Sequence, residues 1–289
     1  MKSSRKAHET LMKGSWLVSY GFSLFSLAMR SRTALHAFAI AAAVWWQAAP
    51  ARAQTSAIPA APAPEPCVNR TFEARGYVVC MAPPKGDLRL FFAGADGEPF
   101  GSFTAVREAL TLTGERLVFA MNAGMYNPDF APSGLYVERG VLRKAANQRP
   151  GAGNFHMKPN GVFWINSDGQ SGVTETARYL AQRIQPAYAT QSGPMLVIDG
   201  KLHPRIREDG TSRKIRNGVG ACEEGRTAFA ISNEPVTFHE FALLFKIELK
   251  CPDALYLDGS ISAAYAPSLG RHDRWRPMGP IVGMVAKGK

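Results

Sequence analysis

From about residue 67 onward, short apolar runs alternate with turn signals. Gly76–Met81 and Leu88–Ala93 are rich in β-branched and aromatic residues, and Pro83-Pro84-Lys85-Gly86 between them marks a turn. Leu117–Met121 is a compact apolar run of the kind a buried strand shows. Three pairs of runs read as hairpins: Leu135–Glu138 with Val141–Arg143 about Arg139-Gly140, Val162–Ile165 with Val173–Thr176 about Asp168-Gly169, and Met195–Ile198 with Lys201–His203 about Asp199-Gly200. Asx-Gly pairs suit turns whose consecutive residues take positive φ. Thr227–Ile231, Ala254–Leu257 and Ile281–Val285 complete the predicted strands.

Two segments carry a helical period instead. Phe103–Leu112 puts Val106, Ala109 and Leu110 on one face. Thr237–Lys250 aligns Phe238, Phe241, Ala242, Phe245 and Leu249, with Thr237 as N-cap and Glu240 three residues on. The sum predicts an α+β domain, a mixed, mostly antiparallel sheet system with a few packed helices.

Residues 1–53 have the pattern of a signal peptide: Arg30 and Arg32, an apolar run from Ala34 to Trp46, then Ala51-Arg52-Ala53 before Gln54. A chain starting at Met29 would carry a conventional leader, so Met29 is the expected start. An uncleaved anchor is the competing reading, but the apolar run is short for a span. Residues 54–66 form a Pro/Ala linker, and the folded domain is expected over 67–289.

Removing the leader changes the charge. Taking its seven basic and one acidic residues from totals of 34 and 23 leaves 27 and 22, a net of +5 rather than +11. No Lys/Arg cluster remains to track a nucleic-acid backbone, so no nucleic-acid partner is expected. No stable membrane span is expected after leader cleavage.

All four cysteines lie in the exported part, without zinc spacing. An even count in an oxidising compartment favours disulfides, and a periplasmic or secreted location follows. Of the three possible pairings, Cys67–Cys80 and Cys222–Cys251 are favoured; reduced, buried cysteines are the alternative.

Polar-Gly motifs sit where apolar runs end: Asn122-Ala123-Gly124-Met125-Tyr126-Asn127, Asn160-Gly161, Gln191-Ser192-Gly193-Pro194, Arg216-Asn217-Gly218-Val219-Gly220 and Asp258-Gly259-Ser260. Glycine there lets backbone N–H groups approach a ligand. Each has a plainer reading: Asn122, Asn160, Asn217 and Asp258 as turn formers, Arg216 as one more surface cation beside Arg205, Arg207, Arg213 and Lys214. His156 and His203 read as surface or packing residues. His239-Glu240 lacks the second histidine of a zinc-protease helix, Leu243 standing there, and Ser192 has no Gly-x-Ser-x-Gly around it.

Four of these blocks, beginning at Asn122, Gln191, Arg216 and Tyr256, occur in an order that resembles the phosphodiester glycosidase (uncovering-enzyme) domain across residues 75–286. The similarity is strongest to an uncharacterised periplasmic bacterial branch. Two departures stand out: Asp258-Gly259-Ser260 where the family often has Asp-Gly-Gly-Gly-Ser, and Ala123 where many members have Gly. The resemblance implies hydrolysis of a bond between a sugar and a phosphodiester oxygen, with a glycan or sugar-phosphate as substrate.

The same resemblance implies roles. Arg216 would clamp phosphate through its fork. Asp258 would activate water or stabilise the sugar cation, with Glu138 a second carboxylate, or merely an outward strand residue. Asn122, Asn160, Ser192 and Ser260 would orient the substrate, with Gly124, Tyr126, Gly193, Asn217 and Gly259 beside them. No cofactor is called for, and a divalent cation is left open. A glycan-binding module without turnover, a metal-dependent phosphodiesterase and a structural envelope protein are the alternatives.

Overall fold

The computed structural model describes residues 65–274 and 276–288. The leader expected over 1–53, the Met29 start and nearly all of the linker lie outside the described residues.

The strands and helices run in chain order. They are β1 (Cys67–Phe72), β2 (Arg75–Ala82), β3 (Leu88–Phe91), α1 (Phe103–Leu112), β4 (Glu115–Asn122), β5 (Tyr136–Glu138) and β6 (Val141–Lys144). Then come β7 (Gly161–Ile165), β8 (Ser171–Glu175), α2 (Thr176–Gln182), β9 (Tyr188–Ser192), β10 (Met195–Ile198), β11 (Lys201–Leu202) and β12 (Asn217–Ala221). The rest are β13 (Thr227–Ser232), α3 (Phe238–Leu243), β14 (Asp253–Asp258), β15 (Ala264–Ala266), β16 (Arg271–His272) and β17 (Ile281–Lys287).

They build three sheets: β1-β2-β13-β12-β14-β10-β11, β16-β15-β4-β17-β3 and β6-β5-β9-β7-β8. Every strand pairing in them is antiparallel. The sheets meet at Phe229 of β13, whose ring lies 5.5 Å from Phe119 of β4 and 5.6 Å from Phe163 of β7. One aromatic from each sheet thus fills the common core, where truncation to Ala typically costs about 3–5 kcal/mol.

The fold class follows the sequence, and so do the two bridges. Cys67 stands opposite Cys80 in the β1–β2 hairpin and is joined to it, and Cys222 is joined to Cys251. Closing loops of 13 and 29 residues restricts the unfolded chain by on the order of 3 kcal/mol each. Helix α1 spans the predicted residues, and Ser102 caps it. In α3 the Thr237 hydroxyl accepts from Glu240 N while the Glu240 carboxylate accepts from Thr237 N, a complete capping box.

The second helix departs from expectation in one respect. After Leu243 it widens into a π turn over Leu244–Glu248. The widening accompanies aromatic packing on β12. A side chain at Gly218 would meet Phe241 and Phe245 at 3.1 and 3.2 Å, and one at Gly220 would meet Phe245 and Cys251 Sγ at 2.7 Å. These two glycines therefore serve helix packing, not approach to a ligand.

Strands β1, β9, β12, β15 and β16 and helix α2 escaped the pattern. β1 is an exposed edge whose only buried residue is Cys67, so it has no apolar alternation. β9 and β12 are buried but polar or glycine-rich, because flanking strands cover both of their edges. Val173–Thr176 overran a boundary: Thr176 opens α2.

Candidate active site

Three strand ends from two sheets converge. Asn122 closes β4, Asn217 opens β12 and Asp258 closes β14. Asn122 Nδ2 donates to Asn217 Oδ1 at 3.3 Å, and Asn217 Nδ2 donates to Asn122 O at 2.8 Å. Asn217 Oδ1 also accepts Asp258 N at 3.2 Å, and Asn122 Oδ1 accepts Ala263 N at 2.9 Å. Ser262 Oγ lies 2.9 Å from Asp258 O and 3.0 Å from Ile215 O. Asn122 and Asn217 are fully buried, so these are the satisfied partners that buried amides require. They weld two sheets together.

The knot fixes Asp258, which is only 7% exposed. Its Oδ1 accepts Gly259 N at 2.6 Å and Ser260 N at 2.8 Å. Burial pushes its carboxyl above the usual range, while the backbone N–H groups of residues 259–261 pull it back. Gly259 is obligatory here: a Cβ would fall 1.7 Å from the Tyr256 hydroxyl. Ser260 is exposed and contributes its backbone N–H. Tyr126 lies within the field of Asp258; burial with that charge pushes its hydroxyl up to about 12, while the Gly279 backbone pulls it back.

Ser192 is tied to the same strand, its Oγ donating to Leu257 O at 2.7 Å. Asn160 Nδ2 donates to Phe155 O at 2.9 Å, and a Cβ at Gly193 would press on Asn160 at 2.7 Å. Gly124 permits close contact with β9, where a Cβ would meet Thr190 Oγ1 at 2.4 Å.

Arg216 is 0% exposed, which removes it from the surface cations around it. Its guanidinium lies on Phe238 at 3.7 Å and 5.4 Å from the Tyr256 ring. Nε donates to Val236 O at 2.9 Å and Nη2 to Ser212 O at 2.8 Å. The phosphate-clamping fork is thus largely engaged by backbone carbonyls; Nη1 makes no such bond, and the Tyr256 hydroxyl acts on the cation. Burial pulls its pKa down. Burial raises the Tyr256 hydroxyl, Arg216 pulls it down and Asp258 adds to the rise, so its hydroxyl feels both groups.

Glu138 is elsewhere. It is 9% exposed at the end of β5, and burial raises its carboxyl. Its neighbours are Phe92 N–H, Tyr136, Arg139 and Arg143, none of them in the Asp258 knot. Buried His203 accepts Arg205 N at Nδ1 and packs, whereas His156 is half-buried.

The structure therefore gathers Asn122, Asn217, Asp258, Gly259 and Ser260, sets Tyr126 and Ser192 beside them, and leaves Glu138 apart. Tyr256 and Ser262 escaped the sequence reading as site residues. Tyr256 sits in an apolar run that looks like core; the polar run Ser260, Ser262, Tyr265 was the available signal for Ser262. Among the described residues, no three His, Cys, Asp or Glu side chains converge to hold a metal ion.

The sequence model of the phosphodiester glycosidase family matches residues 115–283, and the chain belongs to that family. That span runs from β4 into β17 and contains the whole knot. The uncharacterised protein YigE of Escherichia coli strain K12 is 37% identical over 195 residues, 68% of this chain and 75% of that protein. A solved catalytic domain, zebrafish N-acetylglucosamine-1-phosphodiester alpha-N-acetylglucosaminidase auto-inhibited by pro-peptide, aligns with TM-score 0.53 and 14% identity. The alignment covers 75% of this chain and 81% of that one, and it shows a common fold.

Proposed function

We propose that the protein is an exported hydrolase that cleaves the sugar–phosphate bond of glycosyl-1-phosphodiesters in envelope or extracellular glycans. The observation that carries this reading is the Asp258 carboxylate, held by two backbone N–H groups inside the family's matched span. The two disulfides suit an oxidising compartment outside the cytoplasm. Among the described residues no helix is long and apolar enough to cross a membrane.

In this reaction water oxygen bonds to the anomeric carbon as the carbon–oxygen bond to phosphate breaks. The electron pair leaves with the phosphomonoester, and the water proton passes to Asp258. A phosphate leaving group is weakly basic, so little general-acid help is needed, and stabilising charge matters more. Asp258 faces the developing sugar cation; its raised pKa suits a proton acceptor working nearer neutrality. Arg216, which has no carboxylate partner among the described residues, offsets negative charge on the phosphate. Tyr126 and Ser192 border the sugar.

The test is direct. The purified full chain is incubated with a panel of glycosyl-1-phosphodiesters, with and without chelator. Free sugar and phosphomonoester should appear equally in both arms. Saturable binding without release would replace the hydrolase with a glycan-binding module, and chelator sensitivity would replace it with a metal-dependent phosphodiesterase.

A further inference from the structure

A cavity of about 280 Å3 opens over Phe238, lined among others by Asn154, Arg205, Arg207 and Ser212. No acidic side chain lines it. Arg207 is engaged by Asp209 at 2.6 Å, but Arg205 is exposed and has no ion pair among the described residues. Two of its walls belong to Arg216 as well: Phe238 carries the guanidinium, and Ser212 O accepts its Nη2. Behind those walls lies a fully buried cation that has no carboxylate partner among the described residues and leans on the Tyr256 hydroxyl. An uncompensated buried charge is costly, and an anion placed nearby would offset that cost. Asn154, which lines the cavity, also acts on the Tyr256 hydroxyl, against which a Cβ at Gly259 would fall.

We propose that this cavity is a phosphate-binding subsite, in which Arg205, Asn154 and Ser212 contact the anion while Arg216 supplies charge from behind Phe238. It rests on the hydrolase reading only for its purpose: it is where the phosphoryl end of the substrate, and then the product phosphomonoester, sits. The phosphate is recognised as a compact anion rather than through a two-pronged guanidinium clamp, because Arg216 has already given two donors to backbone carbonyls.

Calorimetric titration of the full chain with inorganic phosphate and, separately, dimethyl phosphate tests the subsite. Saturable binding is expected for both, with Arg205→Glu weakening each about tenfold or more, the scale of one charged hydrogen bond. Tighter binding of inorganic phosphate marks a product site; tighter binding of dimethyl phosphate marks a substrate site. Absence of binding, or affinity unchanged in Arg205→Glu, overturns the proposal. Sugar release with unchanged KM in Arg205→Glu removes the subsite and leaves the hydrolase standing. Phosphate binding that depends on Arg205, in a protein that releases no sugar, does the reverse.

Discussion

Asp258 and Glu138 are both buried carboxylates at the end of a β-strand, and burial raises both. Their surroundings differ in origin. Glu138 is bordered by near neighbours in sequence, Tyr136, Arg139 and Arg143, together with the Phe92 backbone. Asp258 is held by the amides that follow it and by Asn217, 41 residues away, itself locked to Asn122 a further 95 residues back. A raised pKa is thus a consequence of burial alone, whereas a fixed position needs donors brought from distant parts of the chain. Glu138 also receives a donor from far along the chain, the Phe92 N–H, but only Asp258 is joined to the Asn122–Asn217 knot.

The sharpest break of this comparison is Asp258→Asn. It should lower the rate of sugar release by a factor of about 100 or more, the scale of one preorganised electrostatic contact. Its thermal midpoint at neutral pH should hold or rise, because the amide still accepts the two N–H groups and no charge is buried. Loss of activity together with loss of fold would make Asp258 a structural residue.

Asn217→Ala comes next. It removes the acceptor of Asp258 N and the donor to Asn122 O, and leaves buried groups unpaired. About 1–3 kcal/mol of stability should go, measured by denaturant unfolding, with about a tenfold fall in kcat as Asp258 loses its anchor. A fall in stability with kcat unchanged would detach the knot from the chemistry.

Glu138→Gln should change turnover least, within about twofold. Its effect lies in the pH dependence of stability. The folded carboxyl titrates above its unfolded value of about 4.3, so the folded state binds its proton more tightly. The stability this proton contributes is present below that pH and is lost as pH rises through the folded value. The Gln variant should therefore gain on the wild type as pH rises from 4 to 7 and match it in acid. An equal loss of activity in Glu138→Gln and Asp258→Asn would dissolve the distinction between the two.

How much of this was legible follows the range of each interaction. The α1 span, the Thr237–Glu240 capping box and the Asp199-Gly200 turn, with φ of 46° and 74°, depend on neighbours within a few residues and stand plainly in the sequence. Asp258 and the three asparagines were visible as polar residues at strand ends. Which asparagines meet was not: Asn122 and Asn217 bind each other, while Asn160 binds Phe155 O. Arg216 was expected as a phosphate clamp, with a surface cation as the plainer reading, and nothing local says that Phe238 and Val236 will close over it.

By itself the sequence determined the antiparallel α+β character, the turn positions, the four paired cysteines and the family, because each rests on local pattern or on residue types kept in order. Tertiary structure alone decided which carboxylate is joined to the asparagine knot, that the Tyr256 hydroxyl feels both Asp258 and Arg216, and that Gly218 and Gly220 serve a helix. Those outcomes depend on which strands become neighbours. A chain in which Asn122 precedes Asn217 by 95 residues carries no local sign of that pairing.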